Sequence, residues 1–332
     1  MIETELSRPA KKIVEELAGI EPHHQVLVLT DAETIDIARA LVTAARTVTD
    51  AVDLLVKPMA SEHSNEPSAV VAAALATTDV AVMATHHALT HTDAVGEALV
   101  AGTQVVTLRS ITERMMLEGG IMADLDRVQT ETELVYELLG AGSTARVTSP
   151  AGTDVTVGLS EHDPIAFAGP DGPDGQLVGY PPGEAAIAPD ERDAEGSVVF
   201  DHSMDNIGLL DDPIELELAD GFVQSVDGGA QAQKLSELLD RSDENAGHLA
   251  EFAIGTNPAA LMDENLKEAK RRLGTVHFAI GDNASTLGGT IGSDLHLDGV
   301  ITEPTVEVDG ETVLRDGELL TDAVERLVAE GR

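Results

Sequence analysis

His296 and Asp298, in the segment Asp294-Leu-His-Leu-Asp-Gly-Val-Ile, stand at i and i+2. On a strand that spacing turns both side chains to one face, where an imidazole and a carboxylate can reach the same ion. His277 lies in another apolar run, Thr275 to Ile280, where alternation sets it opposite Val276 and Phe278. Three such groups on two adjacent strands form a 2-His-1-carboxylate set suited to Zn, Mn, Co or Fe(II). Spacing alone leaves the ordinary reading open, because a His on a half-buried strand is more often a hydrogen-bonded residue than a ligand. Two glutamates add to the pattern. Glu184 opens an apolar stretch between prolines, in Tyr180-Pro-Pro-Gly-Glu-Ala-Ala-Ile-Ala-Pro, and Glu251 enters one in His248-Leu-Ala-Glu-Phe-Ala-Ile-Gly-Thr-Asn-Pro. A carboxylate there is costly unless a cation or hydrogen bonds receive it. In a chain with 60 Asp and Glu, two strand-edge glutamates remain the bland alternative.

Other chemistries fall away. The chain has no Cys, which excludes disulfides, thiolate nucleophiles and thiolate ligands together. It has neither a G-x-S-x-G elbow nor a Walker loop. Gly288-Gly289 lacks the strand-to-helix context of a dinucleotide fingerprint. His86, His87 and His91 follow the strand Val80 to Ala84, at the carboxyl end where α/β sheets commonly bind ligands. His23 and His24 have no partner pattern.

The elements that must position these groups change character along the chain. Gln25–Thr30, Ala51–Lys57, Asp79–Ala84 and Thr103–Leu108 read as apolar strands. Helices are expected between them: about 16 residues from Asp31, then Glu66–Ala76 and Thr92–Ala101. Such alternation predicts a parallel sheet covered on both faces. After a helix over about Thr130–Leu139, short β-rich segments separated by Gly, Pro and Asp predict an antiparallel domain. They are Ala145–Ser149, Thr153–Leu159, Gly196–Phe200, Ile214–Leu218 and Phe222–Val226, with helices expected at Gln231–Asp240 and Asp263–Arg272. The expected organisation is an α/β domain over residues 1–142 and a metal-binding α+β domain over 143–332, rich in antiparallel strands.

The formal charge of -40, against only 20 Lys and Arg, is spread along the whole length and excludes nucleic acid and anionic membrane as natural partners. The basic residues are mostly Arg, and the chain has no Trp and two Tyr. This composition reads as halophilic, since self-repulsion is screened at about 1 M salt, where the Debye length falls to about 3 Å. No apolar run approaches a membrane span, and the N-terminal residues carry no apolar signal core, so a cytoplasmic protein is expected.

The segments PGEAAIAP, HLAEFAIGTNP, GTVHFAIGDN and DLHLDGVI, in this order from Glu184 to Val300, resemble signature blocks of the aminopeptidase T (peptidase family M29) superfamily, in its compact archaeal leucyl aminopeptidase-like branch. ALTHTDA (Ala88–Ala94) and SITERMM (Ser110–Met116) extend the resemblance more loosely. It implies a metallo-aminopeptidase that releases N-terminal residues from small peptides, with Glu184, Glu251, His277, His296 and Asp298 holding two divalent ions (Zn, Co or Mn). Glu184 or Glu251 would move the proton. The resemblance also implies a homodimer. One departure matters: a tyrosine of the peptidases would fall near Ala284, and no Tyr follows Tyr180. Asn283, Ser285 and Thr286 are the polar residues placed to take part of its role. The superfamily also contains 2,5-dihydroxypyridine 5,6-dioxygenase. By that analogy His277, His296 and Asp298 would bind Fe(II), leaving positions for O2 and a small aromatic substrate, with His91 a candidate acid-base residue. A non-catalytic metal-binding homologue is the third reading.

Overall fold

The computed structural model describes residues 5–60, 65–90, 92–169 and 176–331. The chain forms two compact units, Met1–Gln129 with Phe167–Pro182, and Thr130–Ala166 with Gly183–Arg332.

The first unit is built on a parallel sheet of β1 (Val26–Thr30), β2 (Val52–Val56), β3 (Val80–Ala84), β4 (Gln104–Thr107) and β8 (Leu177–Gly179), in the order β2-β1-β3-β4-β8. Every residue of β1 and β3 is buried, as their unbroken apolar runs require in a sheet covered on both faces. Its helices are α1 (Ser7–Lys12), running into a π-helical turn at Ile13–Leu17, then α2 (Ile35–Ala45), α3 (Ala69–Leu75), α4 (Asp93–Ala101) and α5 (Glu113–Glu118). Leu75, Val95 and Ala98 from these helices pack against Leu29, Met83 and Val105 of the sheet. The Thr92 side chain caps α4 by accepting from Val95 N, and Gly102 ends it in the left-handed region. The helix expected from Asp31 starts only at Ile35. The Asp31 carboxylate accepts from Glu33 N, Thr34 Oγ1 and His86 N, which holds residues 31–34 as a turn.

α6 (Leu125–Ala141) leads into the second unit. There an eight-stranded sheet is ordered β14-β13-β10-β6-β5-β18-β19-β20. It comprises β5 (Thr144–Thr148), β6 (Asp154–Gly158), β10 (Ala194–Phe200), β13 (Ile214–Ala219), β14 (Phe222–Gly228), β18 (Thr305–Val308), β19 (Glu311–Arg315) and β20 (Glu318–Leu319). A seven-stranded sheet is ordered β12-β11-β17-β16-β15-β9-β7. Its strands are β7 (Ile165–Ala166), β9 (Glu184–Ile187), β11 (Ser203–Met204), β12 (Gly208–Leu209), β15 (Leu249–Gly255), β16 (Val276–Gly281) and β17 (His296–Ile301). All ladders in both sheets are antiparallel. One core joins them, with Val147, Val157, Phe200 and Leu216 of the first sheet packed among Phe252, Phe278 and Leu297 of the second. The helices of this unit are α7 (Ala230–Leu239), α8 (Leu266–Ala269) and α9 (Thr321–Gly331).

The parallel α/β unit and the antiparallel α+β unit are the classes expected. The single division expected at residue 142 differs from the observed units in two segments. Val135, Leu138 and Leu139 of α6 belong to the antiparallel core, and residues 167–182 return to the first unit because β8 pairs with β4. The helix expected over Asp263–Arg272 is reduced to four residues, capped by the Asn265 side chain.

Gly299 faces the shared core from β17, where an added Cβ would stand 2.5 Å from the Phe200 ring. Gly299→Ala is expected to cost about 1–3 kcal/mol through overpacking, read as a lower midpoint in denaturant unfolding.

Candidate metal centre

Four neighbouring strands, β17-β16-β15-β9, carry the cluster. Glu184 pairs with Gly255, Ala186 with Ala253, Ala253 with His277, Glu251 with Ala279, and Ala279 with Asp298. Since residues two apart share a face, Glu184, Glu251, His277, His296 and Asp298 all rise from one side of the sheet. The residues between them, including Phe252, Ile254, Val276, Phe278 and Leu297, turn into the core on the other side. Ala186, Ala253 and Ala279 keep the near side low, so the longer polar chains can meet above them. Glu251 reaches this face through an irregularity. The register shifts between Leu249 and Glu251, so Leu249 stays in the core while Glu251, two residues later, points the opposite way.

The distances define two groupings. Nε2 of His277 lies 3.1 Å from Oε1 of Glu251 and 3.8 Å from Oε2 of Glu184. Nε2 of His296 lies 3.0 Å from the other oxygen of Glu251 and 3.3 Å from Oδ1 of Asp298. Glu184, Glu251 and His277 thus form one set, and Glu251, His296 and Asp298 a second, the ligand atoms of each lying within 4.8 Å of one another. His296 is the open member, its side chain 34% exposed, with Nδ1 2.8 Å from the Asp282 carbonyl oxygen. The other four are buried.

Three cations complete the cluster, and motif reasoning missed them. Nζ of Lys270 lies 3.0 Å from Oδ2 of Asp298, 3.3 Å from Oε2 of Glu184 and 3.4 Å from Nε2 of His277. Nε of Arg271 donates to Oε2 of Glu184 at 3.3 Å, and Lys267 stands 3.9 Å from Asp298. A signal was present, since four of the chain's 20 basic residues fall between Lys267 and Arg272. This segment docks closely because β15 ends in Gly255, where any Cβ would stand 2.3 Å from the Arg272 carbonyl oxygen and 2.9 Å from that of Lys270. Asn257 N donates to the Arg271 carbonyl oxygen at 2.9 Å, and the Arg272 guanidinium donates to the carbonyl oxygens of Pro258 and Ala260.

Burial pushes the three carboxyls upward, but the neighbouring cations outweigh it. Lys270 and Arg271 hold Glu184 below the usual carboxylate range, Lys270 and the two histidines hold Glu251 well below it, and Lys270 and His296 do the same for Asp298. Burial lowers Lys270 and His296, and the carboxylates more than offset that, raising both. The three carboxyls are therefore ionised, and Lys270 charged, around neutral pH. Buried Oε1 of Glu184, Oδ1 of Asp298 and Nδ1 of His277 have no hydrogen-bond partner among the described residues. Carboxylate lone pairs left open beside an imidazole fit a divalent cation.

The structure brings together all five residues singled out in the sequence. Spacing pointed to His277, His296 and Asp298 as one triad; instead His277 falls in one set, His296 and Asp298 in the other, and Glu251 is common to both. His91 lies outside the described residues. His86 and His87 stack edge to face, 4.8 Å between ring centres, with His86 N bonded to Asp31. At the departure from the peptidase blocks, Ala284, Ser285 and Thr286 are exposed, while Asn283 is buried with Oδ1 accepting from Ile291 N. A third grouping, Glu21 with His23 and His24, lies on the surface of the first unit.

A parallel α/β unit followed by antiparallel sheets that present a carboxylate and histidine cluster is the two-unit fold of the M29-like superfamily, whose members are enzymes. The family model for NicX, 2,5-dihydroxypyridine 5,6-dioxygenase, matches residues 10–321, and the chain belongs to that family. Among solved structures, 2,5-dihydroxypyridine dioxygenase from Pseudomonas putida KT2440 is similar at a TM-score of 0.77 and 20% identity, over 96% of this chain and 97% of that one. Wild-type AmpT from Thermus thermophilus is similar at 0.69 and 19%, over 96% and 100%. Both likenesses are of fold. None of the curated proteins compared matches the chain. No described helix is long and apolar enough to cross a membrane.

Proposed function

We propose that the chain is a metal-dependent hydrolase of aminopeptidase type, acting on small peptides at the cluster of Glu184, Glu251, His277, His296 and Asp298. The observation that carries this reading is the composition of the two ligand sets. Each joins one imidazole to two carboxylates and Glu251 is common to both, whereas oxygen-activating Fe(II) sites use two imidazoles and one carboxylate. A divalent ion bound there supplies Lewis acidity and makes a water a nucleophile near neutral pH. The chain's own groups do the rest. His296, at the exposed edge, is oriented by its bond to the Asp282 carbonyl oxygen, as a ligand imidazole needs. Glu184 is clamped by Lys270 and Arg271 and stays ionised, so it anchors the buried side of the site. Glu251 touches both histidines and is the carboxylate that joins the two halves of the cluster.

The family match favours a second reading, an Fe(II) ring-cleaving dioxygenase. One experiment separates the two. Protein loaded anaerobically with Zn, Co, Mn or Fe(II) is assayed for release of N-terminal residues from short peptides and for O2 uptake with 2,5-dihydroxypyridine. Peptide release with Zn, Co or Mn supports the hydrolase. O2 uptake confined to the Fe(II) form overturns it.

We also propose that the charge of -40 is an adaptation to salt. The melting temperature is then expected to rise steadily from dilute buffer to molar KCl as self-repulsion is screened, and a flat profile would contradict this.

A further inference from the structure

The two ligand sets are not equally open to an ion. Nζ of Lys270 sits within 3.4 Å of both Oε2 of Glu184 and Nε2 of His277, two of the three atoms that face one another in the first set. Toward the second set it touches only Oδ2 of Asp298, whereas the oxygen that faces His296 is Oδ1. Glu251 likewise turns Oε1 to His277 and Oε2 to His296. The ammonium therefore fills the first set and leaves the facing atoms of the second free.

This placement is built in. Lys270 follows the capped helix α8, its backbone N donates to the Leu266 carbonyl oxygen at 2.9 Å, and its own carbonyl group lies against Gly255. Its neighbour Arg271 is fixed on Glu184. Charge points the same way. Three buried carboxylates, Glu184, Glu251 and Asp298, face two buried cations, Lys270 and Arg271, with Lys267 3.9 Å from Asp298. The negative charge is already largely matched, so a second divalent ion would add a large positive excess beside an ammonium that cannot move away without baring Asp298 and Glu184.

We infer that Lys270 takes the place of one of two metal ions, so that each chain binds a single divalent ion at Glu251, His296 and Asp298. This rests on the metal-binding reading of the site and deepens it. With one ion held by Glu251, His296 and Asp298, the Lys270 ammonium would supply the second fixed positive charge of the site.

The test is metal stoichiometry. The chain is dialysed to equilibrium against Mn2+ in high salt and bound metal is counted by elemental analysis, with Lys270→Met and Lys270→Arg alongside. The expected counts are one ion per chain in the wild type and in Lys270→Arg, and two in Lys270→Met. Two ions in the wild type, or one in a folded Lys270→Met, would overturn the role of Lys270 while leaving the metal site standing. No ion in any protein would sink the site itself. Should Lys270→Met fail to fold, the wild type still decides the matter by electron paramagnetic resonance. Isolated Mn2+ is expected, and exchange-coupled pairs overturn the inference.

Discussion

Glu251→Gln is expected to strip the chain of its ion and to lower both metal affinity and turnover by more than about 100-fold. Even outer partners of metal ligands cost about 10–100-fold when removed, and Glu251 is a central member of the cluster. Its two oxygens meet His277 and His296 separately, so the substitution breaks both ligand sets at once. Gln keeps the shape but removes a charge that Lys270 and both histidines face, leaving the cations undercompensated. Elemental analysis of the purified variant and its turnover on the wild-type substrate check the expectation. Retention of a full complement of metal would show that Glu251 is not a ligand.

Phe278→Ala is expected to have the largest effect on stability, about 3–5 kcal/mol, against a total of about 5–15 kcal/mol for a folded domain. The Phe278 side chain is fully buried and stacks on Phe252 with ring centres 5.3 Å apart, on the core side of the strand that presents His277 on its other face. Removing the ring opens a cavity between the two sheets and loosens the strand beneath the site. Unfolding by denaturant in high salt is expected to shift to a much lower midpoint, with metal binding lost along the same curve. A loss of unfolding free energy below about 1 kcal/mol would mean that the sheets close over the gap.

The particular residues show why some of this could be read from sequence and some could not. β1 and β3 are visible because a strand buried on both faces must be apolar throughout, and nothing else in the first unit looks like them. β8 is three residues long, in a stretch full of Gly, Pro and Asp, and its place depends on pairing with β4 some 70 residues earlier in the chain. Assignment of α6 to the antiparallel core depends on where Val135, Leu138 and Leu139 pack, which an amphipathic pattern does not say. His296 and Asp298 were legible because the period of a strand is two, and the same rule gave the face of His277. It holds from Glu251 to Gly255 but fails at Leu249, which stays in the core two residues before Glu251, because the register shift between them carries no mark of its own in the sequence. Lys270 was hidden for another reason: Leu-Lys-Glu-Ala-Lys reads as an ordinary solvent-facing helix, and only the rarity of basic residues in so acidic a chain hinted otherwise.

The most direct test of the central claim is anomalous diffraction from crystals grown with Zn2+, recorded on both sides of the zinc absorption edge. The expected result is an anomalous peak within coordination distance of Glu251, His296 and Asp298, with Lys270 still against Glu184. No peak in the cluster, or one at the surface group of Glu21, His23 and His24 alone, would contradict the assignment of these residues as a metal centre.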